Sequence, residues 1–262
     1  MTSPILTLTT DFGLSDHFVG VMKGVILGIC PRSLVVDISH NVTPFEVTEA
    51  AFLLAQSYSY FPKKTVHVAV VDPGVGTARR PILVEAAGQY FIGPDNGVFS
   101  LVCGREKHRV REITAVKYFR QHVSQTFHGR DIFAPVAAHL ANGISAAAMG
   151  RRIDNYLRSN FDKPERTGRR VWTGLVLKID RFGNLTTNFQ PAELPDLLTH
   201  RFEMQVGIQR LHRLASIYAE GTPGEPFLIL GSSGYFEVAL NQGSAARTLG
   251  VGAGAPLELT VY

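Results

Sequence analysis

Asp72 and Arg79 close the two ends of a short glycine-bearing segment, Asp72-Pro73-Gly74-Val75-Gly76-Thr77-Ala78-Arg79, which follows the apolar run Val66 to Val71. A strand that ends on a carboxylate and enters a Pro-Gly-x-Gly turn sets that carboxylate at the rim of a sheet. Open α/β folds place their chemistry there. The segment brings an acceptor and a cation to one lip. Gly74 and Gly76 do not make a dinucleotide fingerprint, because Arg79 occupies the third glycine position of G-x-G-x-x-G. A tight turn with a surface aspartate accounts for these residues equally well when they are taken alone.

Other polar residues follow the remaining strand-like runs. Asp11 and Asp16 follow the first, Asp37 and His40 the second, and Pro94-Asp95-Asn96-Gly97 a later one, while His128-Gly129-Arg130-Asp131 precedes a helix. Parallel strands would bring these groups to one edge, where a ligand crevice forms. Each also has a structural alternative: Asp131 as an N-cap, Asp95-Asn96-Gly97 as a turn, Asp37 as a strand-end residue bonding nearby amides. Asp11, Asp37, His40, Asp72 and His128 are types that bind metals. No short ligand pair such as H-x-x-x-H accompanies them, and Arg79 would bring a cation close, so a metal-free site is expected. Gly231-Ser232-Ser233-Gly234 does not fit the G-x-S-x-G nucleophile elbow, and no phosphate-binding P-loop occurs.

The elements that must position these groups alternate through the first half. Ile5 to Thr9 reads as a strand, His17 to Ile29 as a helix with Phe18, Val21, Met22, Val25, Ile26 and Ile29 at helical spacing, and Leu34 to Ile38 as a second strand. Thr43-Pro44 with Glu46 opens a helix towards Tyr60, and Val66 to Val71 is apolar enough for the middle of a parallel sheet. Ile82–Ala86 and Gln89–Ile92 are further strands, and Asp131 to Ala141 a helix that tolerates Pro135 near its start. This order predicts an α/β domain with a mostly parallel central sheet over residues 1–155. Polar residues 156–170 read as a linker. Short runs over 171–262, among them Leu175–Ile179, Phe202–Val206, Phe227–Leu230, Tyr235–Leu240 and Pro256–Val261, predict a smaller, mainly β, barrel-like domain.

Composition narrows the class. The chain has 262 residues, is 45% hydrophobic and 18% charged, and carries a formal charge of +4. This is the profile of an ordinary globular protein. Its arginine cluster from Arg151 to Arg170 is interleaved with Asp154, Asp162 and Glu165, so a solvated linker is expected and not a nucleic-acid surface. Cys30 and Cys103 are far apart and fit reduced thiols. The N-terminus Met1-Thr2-Ser3-Pro4 lacks a basic n-region and no apolar run reaches membrane-spanning length, so a cytoplasmic protein with no membrane partner is expected.

Several motifs occur in one order: Thr10-Asp11-Phe12-Gly13, Lys23-Gly24, Val36-Asp37-Ile38-Ser39-His40, Val71 to Thr77, Pro94 to Gly97 and His128 to Asp131. Asp180, Phe182-Gly183-Asn184, Ser232-Ser233-Gly234 and Asn241 to Ala246 continue the series. Together they resemble the S-adenosyl-L-methionine (SAM) hydroxide adenosyltransferase family, the adenosine-forming SAM hydrolases, which are related to the SAM-dependent fluorinase and chlorinase. The resemblance spans nearly the whole chain. It implies a homotrimer with sites at subunit interfaces, and an enzyme that hydrolyses SAM, its substrate, to adenosine and L-methionine without a cofactor. A halide adenosyltransferase and a non-catalytic SAM- or adenosine-binding module are the alternatives.

The resemblance also implies roles. Asp72, Arg79 and His128 match the trio that marks the hydrolase branch, activating water for attack at C5′ of the ribose. Asp11 would accept hydrogen bonds from the ribose hydroxyls. Asp16, with Asp180, would meet the methionine ammonium, and Ser232 and Ser233 its carboxylate. Phe182 and Asn184 would contact adenine, and backbone near Ala245 could read its edge. Phe45 stands where the halogenases carry Trp, and Thr186 departs from them similarly.

Overall fold

Residues 3–161 and 163–262 are described by a computed structural model; Met1, Thr2 and Asp162, of which Asp162 falls within the expected linker, lie outside the described residues. The chain divides into two compact units, residues 1–159 and 160–262. In the first, β1 (Ile5–Thr10), α1 (Phe18–Ile29), β2 (Leu34–Ser39), α2 (Val47–Ser57) and β3 (Val66–Val70) alternate. The hairpin β4 (Pro81–Ala86) and β5 (Gln89–Pro94) follows, then α3 (Ser100–Arg105), β6 (His108–Glu112), α4 (Ala134–Ala141) and β7 (Arg152–Ile153). Every residue of β3 is buried, as suits an apolar strand with covered faces.

The strands form one sheet in the order β2-β1-β3-β5-β4-β6-β7. The first four are mutually parallel, but β4 runs antiparallel to both β5 and β6, and β7 antiparallel to β6. The sheet is therefore mixed, which corrects the expectation of a mostly parallel one. Its reversal is Ala87-Gly88, with φ at 53° and 74° respectively. Positive φ at both positions is the backbone sense that matches strand twist in a two-residue hairpin. The parallel β1, β2, β3 and β5 still deliver Asp11, His40, Asp72 and Asn96 to one edge. Beneath them α1 and α4 bury Met22, Ile26, Val136 and Leu140 against Leu6, Leu8, Val66 and Val68.

The helix expected from Asp131 begins at Ala134 and is preceded by a π-helical turn, Gly129–Phe133. Pro135 is the cause. It has no N–H to give the carbonyl four residues back, that of Asp131. That carbonyl instead accepts the amide of Arg120 at 3.0 Å.

The second unit comprises β8 (Glu165–Arg166), β9 (Val171–Ile179), β10 (Leu185–Thr187), β11 (Phe202–Val206), β12 (Gln209–Leu211), β13 (Leu214–Ala215), β14 (Phe227–Leu230), β15 (Phe236–Ala239), α5 (Ala245–Leu249) and β16 (Pro256–Val261). They form a nine-stranded sheet ordered β12-β11-β16-β9-β10-β15-β14-β13, with β8 added to β9, so part of the expected linker is strand. The sheet curls as a half-barrel around Val176, Leu185, Phe189, Met204, Phe236 and Val238. A register shift at Thr186/Thr187 bends it locally. Among the described residues, no helix is long and apolar enough to cross a membrane.

Candidate active site

The turn after β3 is closed by its own hydrogen bonds, Val75 N to Asp72 O (3.2 Å), Thr77 N to Gly74 O (3.2 Å) and Arg79 N to Thr77 Oγ1 (3.3 Å). It folds Arg79 back onto Asp72. Arg79 Nε donates to Asp72 Oδ1 at 3.0 Å, and Nη2 donates both to Asp72 Oδ2 and to His128 Nδ1, the latter at 3.0 Å. Both side chains of the pair are more than nine-tenths buried, with Arg79 lying over the Phe133 ring. From the neighbouring strand end, Asn96 Nδ2 donates to Val71 O at 2.8 Å and fixes the backbone just before Asp72.

Asp72 and His128 line a cavity of ≈ 330 Å³ that also takes in Asp11, Phe45, Val75 and Phe127. Arg79 is not among its lining residues; it stands behind the carboxylate and the imidazole and grips both. Phe12 meets Phe18 at 5.7 Å and Phe127 at 5.8 Å, and Phe18 meets Phe127 at 5.2 Å, each pair tilted or edge to face. Such ring pairs are favourable, and here they give the cavity an apolar wall. Burial, then the charge of Arg79, holds the pKa of His128 below the ordinary imidazole value.

Asp11 is set by a chain of contacts that runs away from the cavity. Lys23 Nζ donates to Asp37 Oδ2 at 2.6 Å, His40 Nε2 lies 3.0 Å from Asp37 Oδ1, and His40 Nδ1 meets Thr10 Oγ1 at 2.8 Å. Burial pushes the Asp37 carboxyl up, but the hydrogen bonds from Lys23 and His40 outweigh it and hold it below its usual value. Asp37 and His40, grouped with the site residues from sequence, thus serve the scaffold of the Asp11 loop. Among the described residues, no group of three or more His, Cys, Asp or Glu side chains is arranged to hold a metal.

Asp11 in turn accepts the amide of Phe45 at 3.0 Å, and Phe45 has a φ of 70°. A left-handed backbone costs a residue with a Cβ about 1–2 kcal/mol, and such strain gathers where geometry serves a ligand. Phe45 is 69% exposed, so core packing does not offset this strain. Phe45→Gly is expected to leave thermal stability unchanged or slightly raised and to raise KM. A melting temperature several degrees lower would show that the ring belongs to the scaffold.

In the second unit, Asp180, Phe182, Asn184 and Ser232 line a separate cavity of ≈ 850 Å³. Asp180 ties its own loop: Oδ1 accepts the amides of Phe182 and Asn184, and Oδ2 accepts Asn184 Nδ2, each at 2.9 Å. Phe182 is left 77% exposed at the mouth. Tyr218, Glu237 and Arg247, which lie outside the motifs quoted from the sequence, share this cavity with Gln242 of the Asn241 to Ala246 motif. The acidic Glu237 inside the apolar run Tyr235–Leu240 was the available signal. Asp16 is exposed and lines neither cavity; Ser233 and Ala245 are likewise not lining residues, and Ala245 is buried at the start of α5.

The model of the SAM hydroxide adenosyltransferase N-terminal domain matches residues 6–150, and that of its C-terminal domain residues 174–258. A relative described as the (R)-S-adenosyl-L-methionine hydrolase of Salinispora tropica is 39% identical over 266 residues, covering 98% of each chain. A fluorinase of an Actinoplanes species is 28% identical, also over 98% of each chain. A crystal structure of an uncharacterized conserved protein from Thermotoga maritima superimposes with a TM-score of 0.88 at 37% identity, covering 98% of this chain and 99% of that one. Both halves match the two domain models in order and the relatives align end to end, so the chain belongs to the SAM hydroxide adenosyltransferase family.

Proposed function

We propose that this enzyme hydrolyses S-adenosyl-L-methionine to adenosine and L-methionine, with Asp72, Arg79 and His128 activating the water. The observation that carries the proposal is the Arg79 guanidinium joining Asp72 to His128 at the wall of one cavity. Water oxygen bonds to C5′, the C5′–S bond breaks with its electron pair passing to sulfur, and the water gives up one proton. Sulfur leaves neutral, so the departing group needs neither a general acid nor a cofactor. The barrier lies in the nucleophile, because water with a pKa of about 15.7 is scarcely ionised near neutrality.

A guanidinium only donates hydrogen bonds. His128 Nδ1 therefore accepts from Arg79, and the neutral ring carries its proton on Nε2, at its other edge. Held so, His128 donates to the oxygen as hydroxide character develops, and Asp72 orients the water and accepts its proton. The apolar wall of Phe12, Phe18 and Phe127 keeps bulk water from competing. Protonating His128 would force an N–H against the guanidinium, so activity should fall on the acid side, with the limb of kcat/KM below pH 6.5, the ordinary imidazole value. The linkage sign agrees: in that window the unfolded chain binds the proton that the native ring resists, so stability also declines as pH is lowered. An acid limb above the ordinary imidazole value would contradict this tautomer.

Asp11 would hold the ribose hydroxyls, and Asp180, Asn184, Phe182 and Ser232 the rest of the substrate. The reading extends to a cytoplasmic homotrimer whose sites lie at subunit interfaces; the exposed Phe45 and Phe182 rings are apolar surface for a neighbour to cover, and light scattering measures the oligomer. The deciding experiment incubates the purified protein, stripped of metal, with SAM, with and without halide, and separates the products. Adenosine and L-methionine in equal amounts are expected in both. A 5′-halogenated adenosine would mark a halide transferase, and binding without turnover at any pH a binding module.

A further inference from the structure

Two adjacent arginines close the turn after β3, and each has its own carboxylate: Arg79 takes Asp72, and Arg80 takes Asp95. Arg80 Nε and Nη2 both donate to Asp95 Oδ2, at 3.0 and 2.6 Å. The two residues face each other one step beyond the Pro81–Pro94 end of the β4–β5 ladder, where Asp95 N also donates to Arg80 O at 2.9 Å. Asp95 Oδ1 accepts the amide of Leu157 at 2.8 Å, so both carboxylate oxygens are engaged, and the side chain is 6% exposed. The next residue, Asn96, holds Val71 O at the opposite end of the turn. Hydrogen bonds within the turn close it on itself; Asp95 and Asn96 fasten its two ends to the end of β5.

A strap of residues 155–159 covers this fastening. Arg80 Nη1 donates to Asn155 Oδ1 at 3.1 Å and Nη2 to Asn155 O, and Ser159 N donates to Ser100 Oγ at 2.9 Å. A Cβ on Gly97, whose φ is 95°, would come within 2.8 Å of Ser159 Oγ, so the strap lies close against the Pro94–Gly97 turn. A buried ion pair is weak ground for stability, because lost hydration offsets much of its attraction; what such a pair can supply is a fixed register. Here the register is that of Arg79. Consecutive Cα atoms are about 3.8 Å apart, so movement of Arg80 passes directly to the guanidinium that bridges Asp72 and His128. Neither Arg80 nor Asp95 lines the cavity of Asp72 and His128, so an effect on the chemistry must run through Arg79.

We propose that Asp95 is a positioning residue for the reaction: through Arg80 it fixes the far end of the turn and so holds the Arg79 guanidinium between Asp72 and His128. The proposal rests on the reading of these three residues as the water-activating trio of a SAM hydrolase.

The test measures kcat, KM, adenosine affinity and the pH profile of kcat/KM in Asp95→Asn, Arg80→Lys and the double variant. Asp95→Asn should lower kcat about 10-fold, less than a displacement of about 1 Å brings, with KM and adenosine affinity within about twofold of wild type. Because Asp95 acts through Arg80, the double variant should be no slower than the slower single variant. The acid limb supplies a readout that lost stability does not move. His128 is faced by Arg79, Asp72 and Asp131; burial and then the Arg79 charge lower its pKa, and the two carboxylates raise it. Removing the negative charge of Asp95 would by itself shift the limb down, so an upward shift towards pH 6.5 in Asp95→Asn identifies displacement of Arg79. Should that variant fail to fold, Arg80→Lys, which keeps the charge but not the fork that reaches Asp95 and Asn155 together, should show the same fall in kcat and the same upward shift. Near-normal kcat in the folded variants, losses that multiply in the double variant, or an unmoved limb assigns the pair to the fold alone and overturns the proposal. Failure of wild type to turn over SAM at all is a separate result and removes the hydrolase reading instead.

Discussion

Replacing Asp72 by asparagine is expected to lower kcat by about 10²–10⁴-fold, the range that a positioned acid–base group supplies. Adenosine affinity should change little, because in the proposed arrangement the carboxylate meets the water and not the nucleoside. The substitution also strips a guanidinium that is 8% exposed of its counter-charge. Breaking a buried pair by removing one partner costs about 3–5 kcal/mol, and retention of the amide keeps the loss towards the lower figure. In a chain of this length that corresponds to a melting temperature lower by on the order of 10 °C. The two effects separate cleanly: assays well below the new melting point should still find the turnover defect while adenosine binds. Parallel loss of adenosine binding and turnover would place Asp72 in binding or folding. Near-normal kcat in a folded variant would remove it from the chemistry.

The second large effect belongs to a residue with no side chain. Gly76 has a φ of 78°, and a Cβ there would strike the backbone carbonyl oxygen of Gln125. This is the point where the turn carrying Asp72 and Arg79 touches the segment leading to His128. Gly76→Ala must strain its own backbone by about 1–2 kcal/mol and push the two segments apart. A displacement near about 1 Å can cost about 100-fold in rate, so kcat should fall by about that factor with a melting temperature only a few degrees lower. Gly74 provides the control. An added Cβ meets Thr77 Oγ1 at 3.4 Å and Arg79 Cβ at 3.7 Å, ordinary contacts, so Gly74→Ala should remain within a few-fold of wild type. Equal behaviour of the two variants would mean that turn flexibility, and not the contact with Gln125, governs the rate.

Periodicity made β1, α1, β2 and β3 legible, because each is long enough to repeat its apolar spacing, even in β2, an edge strand with none of its residues buried. The antiparallel placement of β4 was not legible. Ala87-Gly88 lacks the Asn-Gly or Asp-Gly signature, and strand direction is set by a backbone reversal that alanine adopts only under tertiary constraint. The start of α4 was misjudged because Asp131 resembles an N-cap, whereas its carboxylate accepts the amide of Ser124 at 2.9 Å and pairs with Arg130. Within the site, residue types and strand ends pointed to Asp11, Asp72 and His128. They could not tell that Arg79 stands behind the cavity wall, nor that Asp37 and His40 face Lys23 and Thr10. Those distinctions depend on which way side chains turn. Short strands such as β10 and β13 offered too few residues for any period.

The missing N–H of Pro135 has a consequence for motion. Residues 120–127 contain no helix or strand, yet the amides of Arg120 and Ser124 both end on Asp131, through its carbonyl and its carboxylate, and Asp131 is fully buried. Neither amide can exchange its hydrogen with solvent until the turn behind His128 comes apart. In deuterated water these two loop amides should therefore exchange on the timescale of opening that turn, far more slowly than an irregular surface segment normally does. Their exchange rates then report, residue by residue, how often the imidazole loses its place beside Arg79.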